Sequence, residues 1–528
     1  MKPSSHSVNR NLDQGGQFLV SMTMPAATTT TAGVVDLIKG HRVKVVILLL
    51  LSGIILTSFI FFPTSLSLSE TSPSNFIPDK LKPSSLFPST TAEDDSDVDA
   101  DWSPPDPIER PSIHLGGLPG HQIFENVWIH EGTIYLFNPD RSRIPAKGKV
   151  VSGQTGWEVM TRPMEGLVDR ARNATVLGGT TLFINDGAKT DEWHYLSSYY
   201  HLAGEIILGG IASLASIAPL PHPASTSDPT LPSSLGVEAR PGVEVPNVPD
   251  RIVIPWKAAE GWRDKEGYGE MTLRGLFGEN VLEPHIWADM SREDTPHGGW
   301  IYLRRAVIID RWASHRHNTL SISLNKMAAS VFSLPHPPFF FTPARLSLLN
   351  NYDVAPPPHR LGPSKSLYNI PKILYVDRQG TERKLSGEAH AGLAVVLGEL
   401  ESMGRARVVH KKMEKISHEE QIRNVADVDI MIGVHGDGLT HQLWMPEGGV
   451  VIEVFPPDTF LPEYQIIADV LHHEYIPVWN DIALSREEWD VLPDQHNSAS
   501  LYDGREVPLD PVFMRLLLEE VIQRMSRP

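Results

Sequence analysis

The sequence predicts an α/β protein of two lobes, with a doubly wound parallel sheet in the C-terminal half and a single membrane-spanning helix ahead of both. Three observations lead there. From residue 372 onward, short β-rich apolar runs alternate with amphipathic stretches of helical period. The 528 residues exceed what one hydrophobic core usually organises. Residues 45–62, VVILLLLSGIILTSFIFF, form an uncharged apolar run.

The last of these sets the topology. At 1.5 Å per residue a helix over 45–62 covers roughly 27 Å, enough for a thin bilayer such as that of the endoplasmic reticulum. Lys39, Arg42 and Lys44 precede it, whereas Glu93, Asp94, Asp95, Asp97, Asp99 and Asp101 follow, so the positive-inside rule puts residues 1–44 in the cytosol and the rest in the lumen. A cleaved signal peptide has a much shorter leading segment, which favours an uncleaved anchor. The expected address is therefore the Golgi or ER membrane, single-pass type II. Residues 63–110, rich in Pro, Ser, Thr and Asp, read as a disordered stalk. Asn173, in Asn-Ala-Thr, would then face the lumen as a glycosylation acceptor.

Composition narrows the function classes. A formal charge of −18 argues against a nucleic-acid partner, whose affinity comes mainly from Lys and Arg. The absence of cysteine excludes disulfides, thiolate metal sites and cysteine nucleophiles. No G-x-S-x-G or HExxH motif supports a hydrolase.

The first lobe, 111–340, mixes strands with helices expected at 191–212 and 315–332. It includes a hairpin around His130-Glu131-Gly132 and a Pro/Ser-rich loop insertion at 219–249. Pro-rich sequence marks an interlobe linker at 341–370. The second lobe, 371–528, runs KILYVDR, GEAHAGLAVVLGELESM, RARVVHK, HEEQIRNVADV, DIMIGV, GVVIEVF, PEYQIIADVLHH and EYIPVWN, with a closing helix over 510–525.

In such sheets ligands bind beyond the carboxyl ends of the strands. Two strand ends here carry suitable chemistry. KILYVD runs into Arg378, whose planar fork suits a diphosphate. DIMIGV runs into His435-Gly436-Asp437-Gly438-Leu439-Thr440, a glycine loop that lets backbone N–H groups approach an anion. Glu453, a carboxylate on an apolar strand, needs a partner, which ribose hydroxyls would supply. His435 has three readings: diphosphate contact, base, or loop-shaping residue. Its position after the strand favours the first. Asp427-Val428-Asp429 has the spacing of a Mn²⁺ site, but it lies where a strand begins, at the sheet edge opposite the crevice, so no metal is expected.

YVDRQG, HEEQI, GVHGDGLTHQLWMPEGGVVIEVFPP and EYIPVW, in this order over 371–480, resemble consecutive blocks of glycosyltransferase family 61. The segment DEWHYLSSYYHLAGEIILG from Asp191 resembles, more loosely, an N-lobe helix of fungal members. The family includes plant xylosyl- and arabinosyltransferases and animal O-linked N-acetylglucosaminyltransferases of the lumen. The resemblance implies a two-lobed GT-B fold, a UDP-sugar donor in the C-terminal lobe, a glycan or glycoprotein acceptor, and inversion at the anomeric carbon. It matches Arg378, His435 to Thr440 and Glu453 to the family's donor-side motifs. Asp437 and His441 stand where many members have alanine and asparagine, so the donor sugar does not transfer.

His194, His201 and Glu205 share one helical stripe at about 100° per residue. The stripe is either an acceptor-facing surface with His194 or Glu205 as base, or a packing face beside Trp193, Tyr199 and Leu202. A second function class is a catalytically degenerate lumenal glycan-binding or scaffold protein of the same fold.

Overall fold

The computed structural model describes residues 109–526 apart from 154, 163–166, 186–195, 218–247, 257–261, 318–329, 359, 361–362, 458 and 491–504. The tail expected in the cytosol, the apolar run 45–62 and nearly all of the expected stalk lie outside the described residues, as do His194 and most of the expected insertion 219–249. Among the described residues no helix is long and apolar enough to cross a membrane. Residues 94–528 form one compact unit.

The strands are β1 (Ile113–Leu118), β2 (His121–His130), β3 (Thr133–Phe137), β4 (Gly156–Met160), β5 (Thr175–Ile184), β6 (Arg251–Val253), β7 (Val281–Leu282), β8 (Ile301–Ile309), β9 (Lys372–Val376), β10 (Lys384–Leu385), β11 (Arg407–Lys411), β12 (Ile430–Val434), β13 (Val450–Val454), β14 (Glu474–Trp479), β15 (Ile482–Ala483) and β16 (Glu506–Val507). The first sheet is mixed, in the order β4-β3-β2-β8-β5-β6-β7, with β1 on β2. Its β2–β3 hairpin closes as the sequence predicts, because Glu131 and Gly132 adopt φ of 46° and 69°, the left-handed pair that matches the twist of the flanking strands.

The second sheet runs β11-β9-β12-β13-β14-β15. Its first five strands are parallel and only the edge strand β15 is antiparallel. β12 and β13 are buried along their whole length, as strands covered on both faces must be. The principal helices are α1 (Tyr200–Ile207, π-helical, continuing as Leu208–Ser216), α2 (Tyr268–Phe277), α3 (Thr342–Asn351), α4 (Gly387–Ser402), α5 (His418–Val425), α6 (Gln465–Val470) and α7 (Pro511–Met525). Caps define their starts. Ser386 and Ser417 accept from the backbone N–H three residues on, and Asp510 accepts from Val512. Gly392 lets α4 and α7 approach, since a Cβ there would lie 2.2 Å from Pro511.

Alternation along the strands gives the second sheet two apolar faces. Ile373, Tyr375, Ile430, Ile432 and Ile452 pack with α4 and α7. Leu374, Val376, Met431 and Val451 join a core that includes α1, α2, α3 and, from the first sheet, Leu182, Val307 and Ile309. The two sheets therefore share the core between them, while each keeps a further core on its outer face. The physical reason is α1, whose residues from Leu208 to Leu214 are all buried, so that it is apolar on every side and is covered by both sheets.

Two further expectations are corrected. The helix expected at 191–212 begins at Tyr200 and extends to Ser216; of that expected at 315–332, residues 318–329 lie outside the described residues, which hold a helix at Arg311–His317 before them and a turn at Val331–Ser333 after them. The expected linker 341–370 contains α3, because Pro343 falls in the first helical turn, where its missing N–H costs nothing. α3 is no passive connector: the buried Arg345 donates to the carbonyls of Trp444 (2.9 Å) and Ala426 (2.6 Å).

Candidate functional site

β9 is flanked by β11 on one side and β12 on the other, so the chain leaves it in one direction and returns in the other. The carboxyl ends of β9 and β12 thus border the crevice in which open α/β sheets hold ligands. Arg378 follows the first and His435 to Thr440 follow the second, and the fold brings these two segments into contact. Gly436 has φ of +141°, and a Cβ there would sit 1.9 Å from Arg378 Nη1. Only glycine lets the backbone pass against that guanidinium.

Arg378 Nη1 is buried without a hydrogen-bond partner, and among the described residues no carboxylate forms an ion pair with the guanidinium. Burial lowers its pKa below the ordinary arginine value, and the charge of Arg383 adds to the effect. A buried cationic donor with nothing to donate to is costly, which marks a position prepared for an anion. Thr440 Oγ1, in the facing turn, is likewise buried and unpartnered. Asp437 accepts from Tyr464 Oη at 3.2 Å. A Cβ at Gly438 would lie 2.8 Å from Val376, and Leu439 packs into the shared core, so its side chain faces away from any donor.

His435 is 1% exposed and Glu453 is fully buried. His435 donates Nδ1–H to Glu453 Oε1 at 2.5 Å, and Tyr475 Oη donates to Oε2. Both carboxylate oxygens are therefore engaged by protein, and the partner that sequence reasoning assigned to ribose is His435 with Tyr475. With Nδ1 committed, Nε2 carries the lone pair; it lies 3.9 Å from Glu463 Oε2. Tyr464 packs edge-on against His435, with centroids 5.5 Å apart, and against Tyr200 of α1 at 5.1 Å. Glu463 and Tyr464 head a helix whose sequence shows only its period, and Tyr475 lies within EYIPVW, where nothing local singles out the tyrosine. Their only signal was the polar pair Glu463-Tyr464 at the head of an apolar helix.

The π-helical turns of α1 carry the other candidate. Insertions of this kind cluster at functional sites. Glu205 is buried, and its Oε2 accepts from Arg311 Nε at 2.8 Å and lies 2.6 Å from Arg311 Nη2 and 2.5 Å from His201 Nδ1. Its charge is thus spent on a buried ion pair, which disfavours it as a free base. His201 and Glu205 do lie together, as the stripe predicted.

Asp429 accepts from Arg360 Nη1 (2.6 Å), Leu367 N (2.8 Å), Lys372 N (2.9 Å) and Ser366 Oγ (3.0 Å), while Asp427 pairs with Lys372. Both sit at the strand starts, away from Arg378. Gln421, on α5, is also structural: it accepts from His441 Nε2 at 2.8 Å and donates to the Met413 carbonyl at 2.8 Å. Asn173 is exposed in the turn before β5.

Comparison with known proteins bears on this geometry. Residues 199–452 match the family model described as Glycosyltransferase 61, a span that runs from α1 through Arg378 and the His435 loop and ends one residue before Glu453. A stretch of 49 residues is 43% identical to the chicken (Gallus gallus) protein named EGF domain-specific O-linked N-acetylglucosamine transferase, and covers 9% of each chain. The span similar to glycosyltransferase family 61, residues 199–452, includes the guanidinium at the strand-end crevice and the glycine turn packed against it, and this similarity supports glycosyltransferase activity in general.

Proposed function

We propose that the chain is an inverting glycosyltransferase that takes its sugar from a UDP-sugar and passes it to a glycan or glycoprotein acceptor. The observation that carries this is the unpartnered Arg378 Nη1 against Gly436 at the β9/β12 crevice. A planar fork of donors is complementary to a diphosphate, and its charge offsets the charge that develops on departing UDP. Asp427 and Asp429 are engaged elsewhere, so the donor charge is assigned to Arg378 rather than to a metal at that motif.

In the transfer, the acceptor oxygen bonds to the anomeric carbon as the bond from that carbon to the diphosphate oxygen breaks, its electron pair leaving with UDP. The acceptor proton must go to a base. His435 is the candidate, because Glu453 holds Nδ1 protonated and leaves Nε2 able to accept. Arg378 and His435 would then divide the work, one on the leaving group and one on the nucleophile. The address follows from sequence: anchor at 45–62, catalytic unit in the ER or Golgi lumen, Asn173 glycosylated.

The test is calorimetric titration of the detergent-solubilised full chain with UDP, followed by a donor screen that reads UDP release. UDP should bind, Arg378→Ala should weaken it at least tenfold, and one donor should give acceptor-dependent release. Failure to bind UDP overturns the reading. Binding without transfer from any donor favours the degenerate glycan-binding alternative.

A further inference from the structure

Arg378 is preceded by a residue whose surroundings the transfer reaction does not use. Asp377 is 3% exposed, and its Oδ2 lies 3.0 Å from His410 Nε2 and 3.9 Å from His390 Nε2. The ligand-capable atoms of all three residues fall within 4.8 Å of one another. They come from the end of β9, the first turn of α4 and the edge strand β11, so the tertiary fold alone assembles them.

The remaining polar atoms are arranged as a metal site requires. Asp377 Oδ1 accepts from the Gln379 N–H at 2.8 Å, which leaves Oδ2 for the centre. His390 Nδ1 meets Tyr375 Oη at 3.1 Å, and with Nδ1 as donor Nε2 presents its lone pair to Asp377. Tyr375 also packs on the His410 ring, with centroids 4.7 Å apart. Such outer contacts orient metal-binding imidazoles. Bonds of about 2.0–2.2 Å in a tetrahedral site place ligand atoms about 3.4 Å apart, between the two separations seen here. The imidazoles are 25% and 33% exposed, so small rotations close the set and a fourth position stays open to water.

We propose that Asp377, His390 and His410 bind one divalent transition-metal ion. Two imidazoles and one carboxylate suit Zn²⁺, whereas Mg²⁺ and Ca²⁺ take oxygen ligands. The ion is not on the sugar-donor side. Tyr375 and Asp377 alternate with Val376 and Arg378, Tyr375 packing with α4 and α7 and Val376 with the shared core, so the cation lies across the sheet from the guanidinium. Its work is to tie β9, α4 and β11 together beneath the Arg378 turn.

The full chain, stripped with chelator and returned to metal-free buffer, is titrated with Zn²⁺ by calorimetry and, separately, with Co²⁺ while visible absorption is followed. One equivalent of Zn²⁺ should bind and raise the melting temperature, and Co²⁺ should give the bands of a four-coordinate site. The His390→Gln/His410→Gln pair should lose both signals while its metal-free melting temperature stays near that of the metal-free parent. Asp377→Asn, which keeps the shape of the side chain, should weaken Zn²⁺ at least tenfold. Zn²⁺ binding that is absent in the parent, or unchanged in the double variant, overturns the proposal.

Discussion

His435 donates to Glu453 at 2.5 Å with both side chains sealed from solvent, and Tyr475 closes the other carboxylate oxygen. The pair orients one imidazole and fixes its tautomer. If that imidazole is the base, Glu453→Gln should lower kcat by about 10²-fold or more, within the range general-base catalysis supplies. UDP affinity should change less than about threefold. Loss of UDP affinity with kcat preserved would move the pair to the donor.

Arg378→Ala should cost about 1.5–3 kcal/mol, roughly ten- to hundredfold in kcat/KM, and Arg378→Lys should stay impaired because ammonium lacks the fork. Gly436→Ala drives a methyl into the same guanidinium, so it should reproduce the defect. The double variant should be little worse than either single one. Additive losses would mean that the two residues act separately.

The Glu205–Arg311 pair is fully buried, so removing one partner strands a charge. Arg311→Met should destabilise the fold by about 3–5 kcal/mol, read as a lower urea midpoint. Glu205→Gln should show its loss in stability, with the folded fraction retaining transfer. A folded Glu205→Gln protein without transfer would make Glu205 the base after all.

Transfer should persist in excess EDTA, since the Asp427/Asp429 motif is tied to Arg360 and Lys372 rather than facing the crevice. Activity abolished by chelation and restored by Mn²⁺ would contradict this. Asp429→Ala should show itself in folding and leave the UDP affinity of the folded protein unchanged.

Burial depresses five imidazoles: His441 and His473 to about 3, His121 to about 4, and His315 and His336 in the same direction. Their contribution is fully present above the unfolded value near 6.5 and is lost as pH falls towards the folded values. Glu447, raised by burial to about 7, has the opposite sign: its contribution is present below about 4.5 and lost as pH rises through 7. Between pH 6.5 and 5 more imidazoles are depressed than carboxyls raised, so stability should fall as pH falls. Urea midpoints across that range check it, and His441→Asn should flatten the slope.

Sequence alone determined the order of the parallel strands and the helices between them in the second sheet, though not the antiparallel edge strand β15, because a strand or helix of some length writes its period into its own residues. It therefore also determined that Arg378 and the 435–440 loop leave adjacent crevice-facing strand ends. It did not determine partners. Glu453 finds Tyr475 twenty-two residues away and Glu205 finds Arg311 across 106, separations over which no local pattern carries information. The shared core beneath both sheets, α3 within Pro-rich sequence, and the meeting of Asp377 with His390 and His410 were likewise decided only by packing. Each depends on which face of an element turns towards a neighbour that the chain reaches much later.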